Sequence, residues 1–386
     1  MSREYFDVII VGGGVMGSSI AYHAALQGVR VLVIERAESV VEPAASWASA
    51  GGVRRQGRHP AEAQLASVAI ARWPSLEQEL AADMHYRQGG NLLVAENEVE
   101  AASLLDFVRE QQANGFADVV LLDRQQVREL VPGIAQQVVA GSFSPADGQA
   151  DPILTTRAFA AAAQRHGAMY WNATTVTALQ VDGWRVTGVQ TSRGAVTAAW
   201  VVLSAGAWSD ELAATAGLRL PIRTVALQMV LSMPAPARVL RPVVSAVNRM
   251  LSLKQRPDGS FLLGGGWPGE VAADRRSYRL RPQSVTGNWE TACAILPAVA
   301  EQQIARAWCG LEAESIDEIP FVGSISGLDG LLLAVGFSGH GFALSPAIGQ
   351  SITNLLLGKN APELSGLSPD RISTFEKERI EAFLSK

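Results

Sequence analysis

The sequence predicts a mixed fold, α/β in its first part and α+β overall, in which a helix-covered parallel sheet is interleaved with an antiparallel one. Residues 5–11 form a β-branched run, 12–17 a glycine cluster, 18–27 a helical stretch and 29–35 a second apolar run. Strand, helix and strand in such succession make a βαβ unit, which implies parallel pairing. After His166 the pattern changes to short alternating runs at 174–181, 184–191, 195–203, 225–232, 243–247, 250–255 and 261–265. Ser192-Arg193-Gly194 and Pro257-Asp258-Gly259 supply turns between them, as antiparallel strands require. No internal repeat or long linker divides the 386 residues. Two domains are therefore expected to be interwoven rather than serial.

The elements follow in order. The apolar run at 5–11 fits a strand buried on both faces. Gly28 ends the first helix. Residues 61–73 read as helical, with Pro74 opening another helix as its first residue. Residues 98–113 form a polar-faced helix, and Asp123 with Gln126 makes a capping box that Pro132-Gly133 later closes off. Asp151-Pro152 is an N-cap followed by an N1 proline, opening a helix through Ala163. A buried strand at 331–335 leads into a glycine-rich turn and a final core helix.

Composition narrows the function. A net charge of −5, with 48% hydrophobic and 18% charged residues, excludes both a disordered chain and a basic nucleic-acid-coating protein. The cysteines, Cys293 and Cys309, do not make a disulfide scaffold and read as reduced thiols. The five histidines show no ligand spacing, so no metal site is expected. The apolar stretch 331–357 is broken by Gly, Ser, His and Pro, so no membrane span is expected, and residues 1–7 lack a basic leader. The expected location is cytoplasmic.

The strongest chemical signal is Gly12-Gly13-Gly14-Val15-Met16-Gly17. Gly12 permits a tight turn, Gly14 lets backbone approach a pyrophosphate beside Val15 and Met16, and Gly17 lets helix and strand pack closely. Helix-terminal amides favour the phosphate charge, and Glu35 at the end of the second strand can accept bonds from a ribose. An acid there favours FAD or NAD over NADP, with Arg36 as a solvated partner. Two further segments bear on that choice. Residues 201–209 form a buried strand with a small-residue turn, and residues 336–342 place free amides at a helix start, a good nest for an anion.

These three segments, in this order, resemble the D-amino acid oxidase superfamily of FAD enzymes. Its members include glycine and sarcosine oxidases, D-amino acid dehydrogenases, and the β subunits of proline dehydrogenase and opine oxidase complexes. Further matches are residues 49–54, 147–151, 308–311 and 367–371. The resemblance implies a Rossmann-like FAD-binding domain (residues 1–84, 142–215 and 308–386) with an interleaved antiparallel-sheet substrate domain (85–141 and 216–307). Gly51, Gly52 and Val53 would lie along the flavin, Val176 would bond adenine through its backbone, and Ala205, Gly206 and Trp208 would pass the ADP half. Gly310 would stand beside the flavin, and Gly339, His340, Gly341, Phe342 and Ala343 would meet its pyrimidine. Such enzymes transfer a hydride from the carbon beside an amine to flavin N5, giving an imine that water hydrolyses.

Three departures from the family pattern qualify this. Covalent members attach flavin to a Cys where Gly310 stands. Cys309 is one residue off and so points to the other face of a strand, which implies non-covalent FAD. Oxidases of the family carry a Lys above the flavin in the strand resembling 261–264, where this chain has Leu262, and that absence favours a dehydrogenase with electron-accepting partner subunits. Members that bind a substrate carboxylate do so with an Arg or a Lys at the positions of Glu312 and Ala343. The candidate catalytic residues are Arg54, His340 and Glu312, with Trp47, Trp267 and Tyr86 as possible pocket walls. The expected function is oxidation of an amine or a secondary or α-amino acid. A non-catalytic flavin-binding assembly factor and an NAD-only dehydrogenase stand as alternatives.

Overall fold

The run Phe6–Val11 sits at the centre of an eight-stranded sheet, flanked in parallel by Val31–Ile34 on one side and Gly194–Leu203 on the other. This computed structural model describes residues 5–385. Residues 1–4 of the leader region read above lie outside those described. The parallel order continues outward to Met169–Trp171 and to Leu331–Val335, and Phe321–Ser324 closes one edge antiparallel. Alternate side chains of the central strand serve different cores. Val8 and Ile10 pack under the helices Val15–Leu26, Pro152–Arg165 and Gly341–Leu356, while Ile9 and Val11 pack with Leu179, Val189 and Leu220 on the opposite face. Burial on both faces explains why the strand reads as an unbroken apolar run.

The expected helix break at Pro74 is corrected. A single helix spans Pro60–Leu80 with Pro74 inside it, and Pro60 takes the N1 position. Pro74 costs that helix one backbone hydrogen bond. Burial of Leu65, Ala69, Ile70, Trp73, Leu76 and Leu80 along one face carries the helix through.

The second sheet also has eight strands, in the order Ile304–Ser315, Ile222–Pro234, Ser260–Gly264, Arg249–Gln255, Val243–Ala246, Asn91–Ala95, Ala140–Ser144 and Val120–Asp123. Every neighbouring pair is antiparallel except one: Val243–Ala246 runs parallel to Asn91–Ala95. That seam is where the two chain segments forming the sheet meet. The junctions expected at 141/142 and 307/308 fall within Ala140–Ser144 and Ile304–Ser315, and hydrogen bonding ties both whole strands to this second sheet.

Candidate active site

A cleft opens at the carboxyl ends of the parallel strands, the place where ligands sit in such sheets. Its floor is the glycine turn. Gly12 has φ 104°, and a side chain there would meet the carbonyl of Ser204 at 2.6 Å. A Cβ on Gly17 would collide with the Gly12 carbonyl, so the helix can lie this close only on glycine. Gly14 has no side chain to cap that helix, and Ser46 Oγ accepts the Val15 N–H at 2.9 Å, which leaves the next helix-terminal amides at the cleft. Glu35 is held by the backbone N–H groups of Gly13 at 2.7 Å and Ala37 at 2.9 Å. A cradle that any Cβ would fill, free helix-terminal amides and a fixed carboxylate together fit the pyrophosphate and ribose of a dinucleotide.

The cleft gathers Gly12, Gly14, Val15, Met16, Glu35, Arg36, Val176, Ala205, Gly206, Trp208, Glu312, Gly339, Gly341 and Phe342. Arg36 is solvent-exposed, as the sequence suggested, and also stacks on an indole. Its guanidinium lies 4.1 Å from the centre of the Trp208 ring. Gly51, Gly52 and Val53 fall just beyond the lining, where Gly52–Val53 pairs with Gly148–Gln149. Ala343 is buried in its helix, its carbonyl accepting the Trp73 indole N–H at 2.9 Å. Gly310 is buried against Ala48, while Cys309 turns to the opposite face, towards Gly269 and Ala226.

The strand Ile304–Ser315 aims Glu312 into the cleft beneath the turn at 336–342. Gly336, Ser338 and Gly339 all take left-handed φ in that turn, and Ser338 donates its N–H to Ala313. Burial pushes the Glu312 carboxyl up to about 7, although the Gly339 N–H bonds to it. This group therefore changes charge near neutral pH.

Arg54 and His340 belong to one buried polar cluster that sequence reasoning saw only in part. Glu62, 2% exposed, lies 3.3 Å from His340 Nδ1. Arg58 donates to the Arg54 carbonyl at 3.0 Å, and Arg54 donates to the Gln56 carbonyl at 2.8 Å. Burial and then the Arg58 charge push His340 below its usual value, against the pull of Glu62. Burial alone would push Glu62 up, but the hydrogen bond and charge of His340, with Arg58 and His59, bring it below the ordinary carboxylate range. Tyr86 stacks on Trp73 and its hydroxyl has no partner, whereas Trp267 bonds the Met250 carbonyl away from the cleft.

Position 262 is a leucine, as the sequence reading had it, but a lysine stands on the neighbouring strand. Lys254 lies directly across the ladder from Leu262, 1% exposed, and donates to the carbonyl of Ala50. It sits beside Gly52, so the face opposite residues 50–52 does carry an amine. Burial pushes that amine down to about 7. The turn at Pro257-Asp258-Gly259 carried the missed signal, because it sets the register that brings Lys254 beside Leu262.

Among the described residues no group of His, Cys, Asp and Glu could hold a metal ion, and no helix is long and apolar enough to cross a membrane. Comparison with known proteins agrees with the cleft. The family model "DAO: FAD dependent oxidoreductase" matches residues 7–355. The chain is 30% identical to glycine oxidase from Pseudomonas aeruginosa over 368 residues, covering 91% of this chain and 95% of that one. It is 29% identical to the bifunctional protein ThiO/ThiG of Synechocystis sp., covering 95% of this chain but only 54% of that longer one. The solved structure of L-proline dehydrogenase from P. horikoshii superposes with a TM-score of 0.87 at 27% identity, covering 96% of this chain and 99% of the other. With the glycine cradle, the fixed Glu35 and a match along nearly its whole length, this chain belongs to the DAO family of FAD-dependent oxidoreductases.

Proposed function

We propose that this FAD-dependent enzyme, which oxidises the C–N bond of an amine or amino acid, takes a substrate whose far end carries a cationic or amine group in place of a carboxylate. The observation that carries this is Glu312, a half-buried carboxyl lining the cleft. By resemblance, amino-acid-specific members place an Arg there. An acid at that position repels a carboxylate and attracts a cation, and little water is present to screen either effect. When bound, FAD supplies the hydride acceptor. The chain binds and orients: Glu312 fixes the charged end of the substrate, while Arg54 and His340 lie outside the cleft lining, in the polar cluster with Glu62.

FAD is held without a covalent bond. The Cys309 thiol faces Gly269 and Ala226, on the opposite side of its strand from Gly310. Acid precipitation would then release all of the yellow flavin into the supernatant. Oxygen is the proposed electron acceptor, because the amine of Lys254 lies beside residues 50–52. The likeness to a solved proline dehydrogenase supports a dehydrogenase with another electron acceptor as the second reading. Unpaired Cys293 and Cys309 fit a reducing compartment such as the cytoplasm.

The test is anaerobic mixing with a panel of amines, diamines, α-amino acids and N-alkyl amino acids while the flavin spectrum is recorded. Cationic and amine-bearing compounds should bleach the flavin fastest, and Glu312→Ala should abolish that preference. Unchanged kcat/KM for the cationic substrate in Glu312→Ala would sink the proposal. Yellow flavin that no compound reduces would return the case to a non-catalytic flavin-binding factor.

A further inference from the structure

A small two-stranded ribbon, separate from both large sheets, lies beside the cleft. Its two arms, Glu270–Val271 and Tyr278–Arg279, pair antiparallel, and its base is stitched to the strand Ile222–Pro234 through Gln228 N–H to Trp267 and Gly269 N–H to Ala226. The loop between the arms is braced from within. Asp274 accepts from the N–H of Arg276 at 2.9 Å, and from the N–H and hydroxyl of Ser277 at 3.0 Å each. Arg275 takes φ 51°, a conformation that costs a non-glycine residue energy and persists only where surroundings enforce it.

Those surroundings are the walls of the cleft. The Trp208 indole donates to the Arg275 carbonyl at 2.8 Å. The Arg275 guanidinium reaches Asp210 at 2.9 and 3.0 Å and the Thr224 hydroxyl at 2.8 Å. On the other wall the Tyr278 hydroxyl donates to Glu42. The ribbon is thus anchored on both sides of the opening, and it brings Arg276 into the cleft lining beside Arg36 and Trp208. The Arg36 guanidinium, stacked on Trp208, faces the like charge of Arg276.

Two guanidiniums and an indole around one opening suit a flat, electron-rich ring with acceptor nitrogens. Adenine offers a π face for stacking and ring nitrogens for guanidinium donors. We propose that the ribbon 270–279 is a clasp over the adenosine end of the dinucleotide, with Arg276 as a cofactor-binding residue and Arg275 as the positioning residue that holds the loop. The clasp rests on the reading of the cleft as an FAD site. It also gives the substrate-side sheet a direct hold on the cofactor.

The test is titration of apoprotein with FAD, followed by quenching of flavin fluorescence, together with the rate at which FAD leaves the holoenzyme. Arg276→Ala should raise the Kd for FAD about tenfold and speed dissociation to match. Asp210→Asn, which weakens the hold on Arg275 while leaving its contacts to Glu211 and Thr224, should act in the same direction. The melting temperature of Arg276→Ala apoprotein should equal that of the wild type, since Arg276 is exposed. A Kd within twofold of wild type, or a loss of FAD affinity matched by a loss of apoprotein stability, would overturn the clasp. A wild-type apoprotein that takes up no FAD would overturn the FAD reading on which it rests.

Discussion

The carboxylate of Glu62 and the Nδ1 of His340 meet 3.3 Å apart in a buried setting, and neither of the two atoms has another protein partner. The pair joins the first turn of the helix Pro60–Leu80 to the cap of the helix Gly341–Leu356. Glu62→Gln would leave Arg58 and Arg54 buried with less opposing charge. It should destabilise the protein by about 3 kcal/mol. A double-mutant cycle with His340→Asn, followed by urea unfolding, should show coupling between the two positions. Strict additivity would mean the pair is only a neighbourly contact.

His23 predicts acid sensitivity. Its Nδ1 meets the Ser19 carbonyl at 2.8 Å and its Nε2 faces Arg72 Nη1 at 2.7 Å, which sets the proton on Nδ1. Burial, then the Arg72 charge, push it down to about 3. The unfolded chain binds a proton near pH 6.5 that the folded protein refuses, so stability is full above that pH and is lost as pH falls towards 3. By linkage the loss between pH 6.5 and 5 is about 2 kcal/mol. His23→Gln should flatten this slope in a melting-temperature series from pH 7 to 5.

Glu312 predicts an activity profile. With its carboxyl raised to about 7, the negative form dominates only above neutrality. For a diamine substrate, kcat/KM should climb between pH 6 and 8 in the wild type and stay flat in Glu312→Gln. The variant should run roughly tenfold lower at pH 8. Equal profiles for the two proteins would remove Glu312 from substrate recognition.

Lys254 carries two measurable consequences. Its amine is held down to about 7, so the unfolded chain binds the extra proton between there and pH 10.5, and folded stability rises with pH through that window. Lys254→Met should therefore be more stable than wild type at pH 7, by about 2 kcal/mol after allowing for the lost bond to Ala50. That advantage should vanish by pH 10.5. The reduced variant should also recolour in air roughly tenfold more slowly, as expected when a donor near a site of developing charge is removed.

The dinucleotide cradle was legible because its chemistry is local. Gly12, Gly14, Gly17 and Glu35 fall within one βαβ unit, and each has a role fixed by the turn itself. The residues that were missed act across long separations. Glu62 reads as an ordinary acid in a helical first turn, and only docking against the residue-340 turn makes it a partner. Lys254 became visible through ladder register, as the cross-strand neighbour of Leu262. Pro74 misled because a local helix-breaking rule was overridden by a long buried face. The strand Ile304–Ser315 shows the same limit: its sequence motif belongs to the flavin side, but its hydrogen bonds belong to the second sheet.

The order of the first sheet sets when this enzyme can acquire its flavin during biosynthesis. Phe6–Val11 and the glycine turn leave the ribosome well before their neighbour Gly194–Leu203 and the roof residue Ser204. Leu331–Val335 and the helix Gly341–Leu356, which packs beside the Val15–Leu26 helix in the same core, follow later still. The cradle cannot close until these segments have emerged, so flavin loading waits for their synthesis. Until then the apolar first strand, paired only with Val31–Ile34, has one edge open, which makes the nascent polypeptide a natural client for chaperones.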